Sequence, residues 1–532
     1  MTSDQTQSIN PATGEIIGNY PLHSIEDLKE AIDHARQVQP AWQATPINHR
    51  VKHIKKIATY IFENAEEIIG EISKDNGKVF MDAFASEVFP SIMAVKYDCK
   101  MAARWLKPEK IKRSNIFFIY KNSKVIRLPW GVIGIISPWN YPFSIPFYQI
   151  IMGLLAGNAV ILKTASETQA VGSLLQDVIK SADLADGLFT LINMRGSVIG
   201  NAFLDNGIDK LFFTGSLTVG KKLMAKAAET LTPLSLELGG NDPAIICEDA
   251  NLHRAVSGIL WAGFHNCGQS CGGIERIYVH DSVYTDFMKI LKEGVESLRL
   301  GIGSDPEIDM GSMTTFGQIE TVNSHINEAL KSGAKIAAKS SLPIDQNLNN
   351  FIPAVVLSDV DHSMKIMKEE SFGPVVGVMR YQTINEAISL ANDSSMGLSA
   401  SVWSNNRKKA ERIGRQLLAG VITINDHLMT HGMPETPWGG FKESGIGRSH
   451  GKIGFEEMTQ PQLIVQDLLP WIKRYPWWHP YSKDSYRSIQ GILKLLYADS
   501  LSAKLNGFIR FLKSVPALFT TNNRLYRKKS VK

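Results

Sequence analysis

The sequence predicts an α/β protein that contains a doubly wound parallel sheet. From Gly131 onward, short apolar strand-like segments alternate with helical patterns, in the order GVIGIIS, NAVILK, LFTLIN and KLFFT. This alternation is typical of parallel strands that are joined by right-handed helical crossovers. A chain of 532 residues is too long for one hydrophobic core, and a second α/β segment is predicted from about Asp242 to Thr436.

Composition and charge narrow the class of protein. Hydrophobic residues make up 44% and charged residues 20% of the chain, which excludes a mostly disordered protein. The net charge of +5 is unevenly distributed, because residues 461–532 carry eight Lys, five Arg, three Asp and no Glu. The first 460 residues therefore sum to −5, which argues against nucleic-acid binding. Four cysteines, no secretory pattern and no long apolar run predict a cytoplasmic protein.

Helices and a β-ribbon are expected before and beside the sheet. Ser24 with Asp27 three residues later is typical of a helix start. Helical patterns follow over 47–73 and 84–106. Residues 115–129 contain two β-rich runs around Lys-Asn-Ser-Lys, which predicts a hairpin, and 461–469 (PQLIVQDLL) resembles a strand.

The ends of the predicted strands are candidates for a ligand cleft, because ligands of doubly wound sheets bind beyond the carboxyl ends of the strands. These ends are Ser137–Asn140, Lys163–Glu167 and Thr214–Gly220. The last contains FTGSLTVG between a strand and a helix, the place for a phosphate-binding turn, although its two glycines also suit a plain turn. Lys163 can reach a ribose or a phosphate, or it can be a solvated surface charge.

Cys271, at the end of FHNCGQSC, is the candidate nucleophile, because small and polar neighbours suit a thiol at the edge of a cleft. The alternative is a buried cysteine without a function. Cys267, Cys271 and nearby His265 lack the second ligand pair of a metal site, so no metal is expected.

Two other residues have the properties that a thiol nucleophile needs beside it. Glu237 lies between leucines in SLELGGND, where burial would raise its pKa toward the range of a general base; the alternative is a carboxylate that caps backbone amides. Asn140 is held between Pro138 and Pro142 and suits an oxyanion donor or a simple turn.

Seven segments in this order resemble the aldehyde dehydrogenase superfamily, from about Asn10 to about Val465. They are PWNYPF, LK before a small polar run, FTGS, LELGGNDPAII, FxNxGQxC, EESFGPV and PWGGFKESGIGR. The resemblance implies a Rossmann-like NAD(P)-binding domain, an α/β catalytic domain, and β oligomerisation elements that make a homodimer or homotetramer. Beyond the typical fold of the family, the chain continues as a basic amphipathic C-terminal extension. The NAD(P)-binding domain comprises 1–114 and 130–239, and the catalytic domain comprises 240–436. The oligomerisation elements are 115–129 and 437–469, and the C-terminal extension is 470–532.

The resemblance also implies a mechanism. The Cys271 thiolate attacks an aldehyde, and Asn140 with the Cys271 amide holds the oxyanion. Hydride leaves for the nicotinamide ring, and Glu237 activates the water that hydrolyses the thioester. The implied cofactor contacts are Ser137, Pro138, Trp139, Lys163 at the adenosine ribose, Ser166, Gly215, Ser216 at a phosphate, Gly220, Leu238, and Glu370 with Phe372 at the nicotinamide.

Three departures from the family pattern matter. Ser166 stands where many NAD-preferring members have a glutamate that would repel a 2′-phosphate, but Glu167 follows it, so NAD and NADP both stay open. Gln460 replaces a glutamate that relays protons in some members. GGIER after Cys271 is similar to a less studied branch.

The substrate is an open question at the level of sequence. Trp139, Tyr141, Phe264 and His427 are expected to line its tunnel. One alternative to hydrolysis is a coenzyme A-acylating enzyme, but Glu237 argues against it. Another alternative is an inactive membrane-recruiting scaffold, but the intact Cys271, Glu237 and Asn140 argue against that.

The C-terminal extension combines apolar residues at helical spacing with basic residues and tryptophans. This pattern favours a helix on an anionic membrane at the cytoplasmic face, or equally a helix packed on its own protein or across a dimer. Membrane contact would make a long-chain, lipid-derived aldehyde an attractive substrate.

Overall fold

The computed structural model describes residues 4–115, 118–303, 305, 307–343, 348–472, 475, 477–479 and 481–516. The chain divides into two compact units. One contains Met1–Leu106 and Leu128–Gln460, and the other contains Lys107–Arg127 and Pro461–Lys532. In the described residues, no helix is both long and apolar enough to span a bilayer.

The first unit begins with an antiparallel strand pair and a group of helices. These elements are β1 (Gln5–Ile9), β2 (Ile16–Pro21), α1 (Ile25–Ala44), α2 (Ile47–Glu63), α3 (Ala65–Asn76), α4 (Phe80–Ala83) and α5 (Phe89–Trp105). Ser24 caps α1 in a capping box with Asp27, which confirms that predicted start. The helical pattern predicted over 84–106 begins with a π-helical turn at Phe84–Val88 and continues as α5.

The predicted hairpin over 115–129 is wrong in its turn. Strand β3 (Glu109–Lys110) and most of β4 (Lys121–Pro129) belong to the second unit; the two strands pair antiparallel, with Glu109 opposite Val125. Lys121–Lys124 is therefore part of a strand, because its partner lies earlier in the chain than the predicted run. Residues 116–117 of that run lie outside the described residues.

A six-stranded sheet follows, with helices between its strands. Its elements are β5 (Val132–Ile136), α6 (Ser144–Ala156), β6 (Ala159–Lys163), α7 (Gln169–Lys180), β7 (Phe189–Leu191), α8 (Gly196–Asp205), β8 (Lys210–Thr214), α9 (Leu217–Ala227) and β9 (Leu234–Glu237). Strands β5–β9 are parallel in the order β9-β8-β5-β6-β7, which confirms the doubly wound prediction. The sequence did not indicate α8. The core of this layer packs residues such as Leu28 and Ile57 against Ile135 and Ile161.

A second, seven-stranded sheet has its own core. Its elements are β10 (Asp242–Ile246), α10 (Leu252–Phe264), β11 (Ile274–His280), α11 (Asp281–Glu296), α12 (Phe316–Lys331), β12 (Lys335–Lys339), β13 (Val355–Ser358), β14 (Val375–Tyr381), α13 (Ile384–Asn392), β16 (Ser399–Trp403), α14 (Arg407–Gly414) and β17 (Val421–Ile424), with the short β15 (Met396–Gly397) outside the sheet. The order is β12-β13-β14-β11-β10-β16-β17, and only β12 is antiparallel to its neighbour.

Three strands and three α-helices follow the seven-stranded sheet in the described residues. They are β18 (Phe441–Lys442), β19 (Gly445–Ile446), α15 (Gly451–Glu457), β20 (Thr459–Asp467), α16 (Lys483–Tyr497) and α17 (Leu501–Ser514). Strand β19 pairs with β9 and so adds an antiparallel edge to the six-stranded sheet. Strand β20 confirms the strand expected at 461–469 and lies next to β4 in the three-stranded sheet of the second unit. The helical extension is confirmed as α16 and α17.

Candidate active site

A crevice lies where the strand order of the six-stranded sheet reverses, between β5 and β8. Ser137–Asn140 follow β5, and Gly215 follows β8, so both loops leave the same edge of the sheet. A cavity of about 260 Å³ at this edge is lined by Pro138, Trp139, Asn140, Thr214, Gly215, Ser216, Glu237, Leu238, Gly239, Cys271, Gln318, Thr321, Glu370 and Phe372. The three predicted reactive residues, Asn140, Glu237 and Cys271, thus line one cavity.

A sharp reversal of the backbone places Cys271 at this cavity. Asn266, Cys267 and Gly268 all have left-handed φ values, between 50° and 67°. Glycine is required at the third position, because a Cβ there would lie 2.2 Å from the backbone oxygen of Gly373. The Sγ of Cys267 bonds to the Gly311 oxygen at 3.1 Å, which gives this second thiol a structural contact within the turn.

The surroundings of Cys271 favour the neutral thiol. Burial raises its pKa, and the carboxylates of Glu370, Glu237 and Asp242 raise it further. The pKa of Glu370 is itself raised to about 8, mainly by burial, while one of its oxygens accepts a bond from Gly240 N–H at 2.9 Å. A proton must therefore leave Cys271 before the sulfur can act as a nucleophile.

Asn140 is held by contacts at both its side chain and its backbone. Its Nδ2 donates to the Gln269 oxygen at 3.0 Å, and its own backbone oxygen accepts from Asn266 Nδ2 and Lys78 Nζ, each at 2.9 Å. Only 2% of the residue is exposed. The amide is therefore held against the turn that precedes Cys271.

Glu237 ends β9 with its carboxyl group inside the protein. Burial raises its pKa well above the usual range, and the opposing charge of Arg448 lowers it in part. Its Oε2 has no hydrogen-bond partner among the described residues. The carboxyl group is therefore available to a molecule in the cavity.

A small cavity of about 20 Å³ connects Glu237 and Cys271 to buried polar side chains. It is lined by Ile145, Tyr148, Gln149, Thr214, Glu237, Cys271, His431, Trp438, Ser449 and His450. Burial lowers the pKa of His431 to about 4 and that of His450 to about 3, so both rings are neutral at pH 7. The room and the polar lining suit one water molecule.

The predicted cofactor residues fall into two groups. Pro138, Trp139, Gly215, Ser216, Leu238, Glu370 and Phe372 line the 260 Å³ cavity, whereas Ser137, Lys163, Ser166 and Gly220 do not. In the first group, the rings of Trp139 and Phe372 meet edge to face at 5.5 Å.

The second group lies along the same sheet edge or supports it. Ser137 N–H donates to the Lys163 oxygen at 3.0 Å, and Lys163 is buried, with the charge of Glu167 acting on it. Ser166 begins the short helical turn before α7 and is half-buried. Gly220 lets α9 approach Leu238, because a Cβ there would lie 2.7 Å from that side chain.

A buried charged network near Asn140 gave no signal in the sequence. Lys78 and Glu87 form an ion pair with fully buried side chains. Glu87 also accepts bonds from the N–H groups of Phe143 and Ser144 at the start of α6, at 2.8 and 3.1 Å. Lys78 lies in the loop between α3 and α4, and Glu87 lies in the π-helical turn before α5, so only the packing brings the two charges together.

Aromatic and histidine side chains line a third cavity, of about 70 Å³, on the other side of Cys271. Its lining residues are Ala85, Ser86, Tyr141, Trp261, His265, Ser270, Cys271, Leu428, Met429, His431, Gly432 and Trp438. Of the expected tunnel residues, Tyr141 lies here, Trp139 lines the 260 Å³ cavity instead, and Phe264 lines a neighbouring pocket.

The expectation for His427 is wrong. Its Nε2 lies 2.9 Å from the Gly272 oxygen and 3.1 Å from Ser399 Oγ in the interior. His431, four residues later, takes the place in the cavity that was expected for His427.

The chain is similar to known aldehyde dehydrogenases over most of its length. The sequence model of the aldehyde dehydrogenase family matches residues 1–464. A 4,4′-diapolycopene aldehyde oxidase from Methylomonas sp is 36% identical over 494 residues, which cover 92% of this chain and 91% of that protein. A putative succinate-semialdehyde dehydrogenase [NADP(+)] from Mycobacterium ulcerans is 33% identical over 85% of this chain and 87% of that protein.

Solved structures agree with the sequence matches. A betaine aldehyde dehydrogenase from Staphylococcus aureus in complex with NAD+ superposes with a TM-score of 0.83, at 31% identity over 89% of this chain and 96% of that chain. Lactaldehyde dehydrogenase from Escherichia coli gives a TM-score of 0.82, also at 31% identity, over 88% and 97% of the two chains. This chain belongs to the aldehyde dehydrogenase family and is an NAD(P)-dependent enzyme that oxidises an aldehyde.

Proposed function

We propose that the enzyme oxidises its aldehyde to a carboxylic acid by covalent catalysis on Cys271. The observation that carries this proposal is the single cavity lined by Cys271, Asn140 and Glu237. The sulfur of Cys271 adds to the carbonyl carbon, and the resulting oxyanion lies between the second N–H of Asn140 Nδ2 and the Cys271 backbone N–H. Fixed donors aimed at a developing charge are a large source of rate enhancement.

Loss of hydride from the former aldehyde carbon leaves a thioester on Cys271, and Glu237 is the base for its hydrolysis. Its carboxylate takes a proton from water in the 20 Å³ cavity while the water oxygen attacks the acyl carbon; the carbon–sulfur bond then breaks, the acid leaves, and Cys271 is released as a thiolate. Tyr148, Gln149 and His450 offer that water further hydrogen bonds. A buried base fits hydrolysis better than transfer of the acyl group to coenzyme A, which needs no activated water.

The residues around the crevice fit a nicotinamide dinucleotide, which supplies the hydride acceptor when it is bound. Trp139, Phe372 and Glu370 would enclose the nicotinamide end beside Cys271. Ser216, at the N-terminus of α9, would bind a phosphate, and Lys163 would contact the adenosine ribose. Ser166 lacks the carboxylate that would repel a 2′-phosphate, so we propose that NADP is accepted along with NAD.

The substrate proposed is a long-chain, apolar aldehyde. Tyr141, Trp261 and Trp438 line the cavity on the substrate side of Cys271, together with Met429, which is 49% exposed. Phe84 adjoins the lining residues Ala85 and Ser86, and its ring contacts that of Phe89, 5.8 Å away; both rings are exposed. An apolar rim of this kind favours an apolar ligand.

The relative from Methylomonas supports the same substrate class. Its name gives its substrate as an aldehyde of 4,4′-diapolycopene. Its match covers 92% of this chain, more than the 464 of 532 residues that the family model covers, so the likeness continues outside that segment.

We also propose a cytoplasmic enzyme that contacts the inner face of a membrane through its C-terminal extension.

A homodimer or homotetramer is proposed from the three-stranded sheet. Strand β20 is an edge strand, and Leu463, Ile464 and Val465 on it are exposed. An exposed edge with apolar side chains is suited to pairing with a second copy.

A transient assay tests the proposed chemistry. Wild-type protein and Cys271→Ala are mixed with aldehydes of increasing chain length and with NAD or NADP, and NAD(P)H and the acid are measured. We expect turnover only in wild type, rising with chain length and unchanged by added coenzyme A. Equal activity in Cys271→Ala would end the assignment of the nucleophile, and acyl-coenzyme A as the product would replace hydrolysis by acyl transfer.

A further inference from the structure

The two C-terminal helices pack against each other through small residues. Ser485, Ser488 and Gly491 of α16, with Gly507 and Ser514 of α17, are buried, together with one larger residue, Ile492 of α16. A Cβ at Gly491 would lie 2.7 Å from the Gly507 oxygen, and one at Gly507 would lie 2.6 Å from the Gly491 oxygen. The two backbones are therefore in direct contact where the helices cross.

Large apolar side chains of the same helices are exposed. They are Tyr486, Ile489, Leu493 and Tyr497 on α16, and Leu501, Leu505, Phe508, Ile509 and Leu512 on α17. Each set recurs every three or four residues and so forms one stripe along its helix. In a pair of helices in water, such side chains usually fill the interface. Small residues inside and large apolar residues outside are typical of helices that pack in lipid, where burial from water does not hold helices together.

The two stripes face away from the helix interface and lean toward one shared face of the hairpin. The connection between α16 and α17 is short, residues 498–500, so the helices run antiparallel. At 3.6 residues per turn, each stripe is centred roughly 150° from its helix interface, in the same rotational sense. In an antiparallel pair this arrangement points each stripe mostly away from the other helix and tilts it by roughly 30° toward one shared face.

Charge and aromatic residues fit a bilayer with acidic headgroups. The hairpin carries six basic residues against Asp484 and Asp499; the six are Lys483, Arg487, Lys494, Lys504, Arg510 and Lys513. Each Lys or Arg near an acidic leaflet contributes about 1 kcal/mol of attraction. Trp471, Trp478 and Tyr481, which precede α16 in the same unit, are exposed and of the type found at the bilayer interface.

We propose that α16 and α17 form an anchor in one leaflet of an acidic bilayer, with the apolar stripes in the acyl region and the basic side chains at the phosphates. With 15 and 14 residues, the helices are too short to cross a bilayer. A second copy is a poorer partner for this face, because it would bring the same excess of positive charge against itself. This anchor specifies the membrane contact proposed above. It rests on the proposed aldehyde oxidation only for its role, which is to hold the enzyme where an apolar aldehyde partitions.

Flotation of the full-length protein tests the anchor. Vesicles of equal parts phosphatidylcholine and phosphatidylglycerol are compared with vesicles of phosphatidylcholine alone. We expect wild type to float with the acidic vesicles and to be largely released from them by high salt. With the neutral vesicles, most of the protein should stay at the bottom. Leu493→Glu and Phe508→Glu should stay at the bottom of the gradient. Gln490→Glu and Asn506→Glu add the same charge to the polar sides of the two helices and should float as wild type does.

Each other outcome contradicts the anchor. Wild type that stays at the bottom overturns it, as does flotation that Leu493→Glu and Phe508→Glu leave unchanged. A smaller mass of Leu493→Glu in light scattering, with no flotation of wild type, would show that the stripes form an interface between copies. Oxidation of a long-chain aldehyde dispersed in detergent, without vesicles, is assayed in parallel: no turnover by wild type would contradict the proposed function, whereas flotation alone decides the anchor.

Discussion

The Nδ2 atom of Asn140 donates a hydrogen bond to the backbone oxygen of Gln269, two residues before Cys271, at 3.0 Å. A side-chain amide nitrogen carries two N–H groups, so this bond fixes the amide and leaves one N–H for an oxyanion. The loop that carries the nucleophile thus also orients the group that stabilises the product of its attack.

Replacement of Asn140 by Ala should lower kcat by about 10²- to 10³-fold, the usual cost of one oxyanion donor. Binding of the dinucleotide, followed by fluorescence titration, should change little, because the Asn140 amide is not proposed to bind it. A decrease of less than tenfold in kcat would assign the oxyanion to other donors.

Replacement of Glu237 by Gln should separate the two half-reactions. We expect a first turnover of NAD(P)H to remain, while steady-state turnover falls by about 10²- to 10⁴-fold, since hydrolysis loses its base. In wild type the base must be ionised and burial raises its pKa, so turnover should fall as pH drops below that raised pKa. The amide in the variant does not ionise, so this limb of the pH profile should vanish. Equal loss of the first turnover and the steady state would place Glu237 in an earlier step.

Alkylation of Cys271 by iodoacetamide should be slow at pH 7 and should accelerate as pH rises, because burial and nearby carboxylates raise the thiol pKa. NAD+ should shift the pH profile downward, since a positive charge beside the sulfur favours the thiolate. Cys271→Ala provides the background from Cys99, Cys247 and Cys267, all buried. A rate that is already maximal at pH 7 without cofactor would contradict the raised pKa.

Replacement of Lys78 by Met should lower the free energy of unfolding by about 3–5 kcal/mol, because it leaves the buried carboxylate of Glu87 without its partner. Lys74 pairs with Glu71 nearby, but its side chain is 59% exposed, and Lys74→Met should cost at most about 1 kcal/mol. Urea unfolding of both variants measures the difference. Similar values for the two would mean that the buried pair contributes no more than the surface pair.

Replacement of Ser166 by Glu should shift cofactor preference toward NAD. A new carboxylate near a 2′-phosphate adds about 1–4 kcal/mol of repulsion, or roughly 5- to 1000-fold in the ratio of kcat/KM for the two cofactors. Ser166→Ala is the matched control, with no added charge and little expected change. If the ratio is the same in both variants, Ser166 does not face the 2′ position.

The sequence by itself determined the parts of this protein that depend on short segments. Alternating strand and helix patterns predicted the doubly wound sheet, and the strand ends predicted that Asn140 and Ser216 would lie along one cleft. Strand ends can be read from local periodicity, and the doubly wound topology places these ends at one edge. Local sequence also named Cys271 and Glu237 as candidates, and the seven family segments predicted the same residues independently and implied their roles.

Only the tertiary structure decided the contacts between distant segments. Lys78 and Glu87 form an ion pair next to Asn140, and His431 rather than His427 lines the 70 Å³ cavity beside Cys271. Lys121–Lys124 became part of a strand because β3, not the preceding run, is its partner. The outward stripes of α16 and α17 have the same helical period as a buried face would have. Periodicity shows that a helix has an apolar side, but packing decides what that side meets.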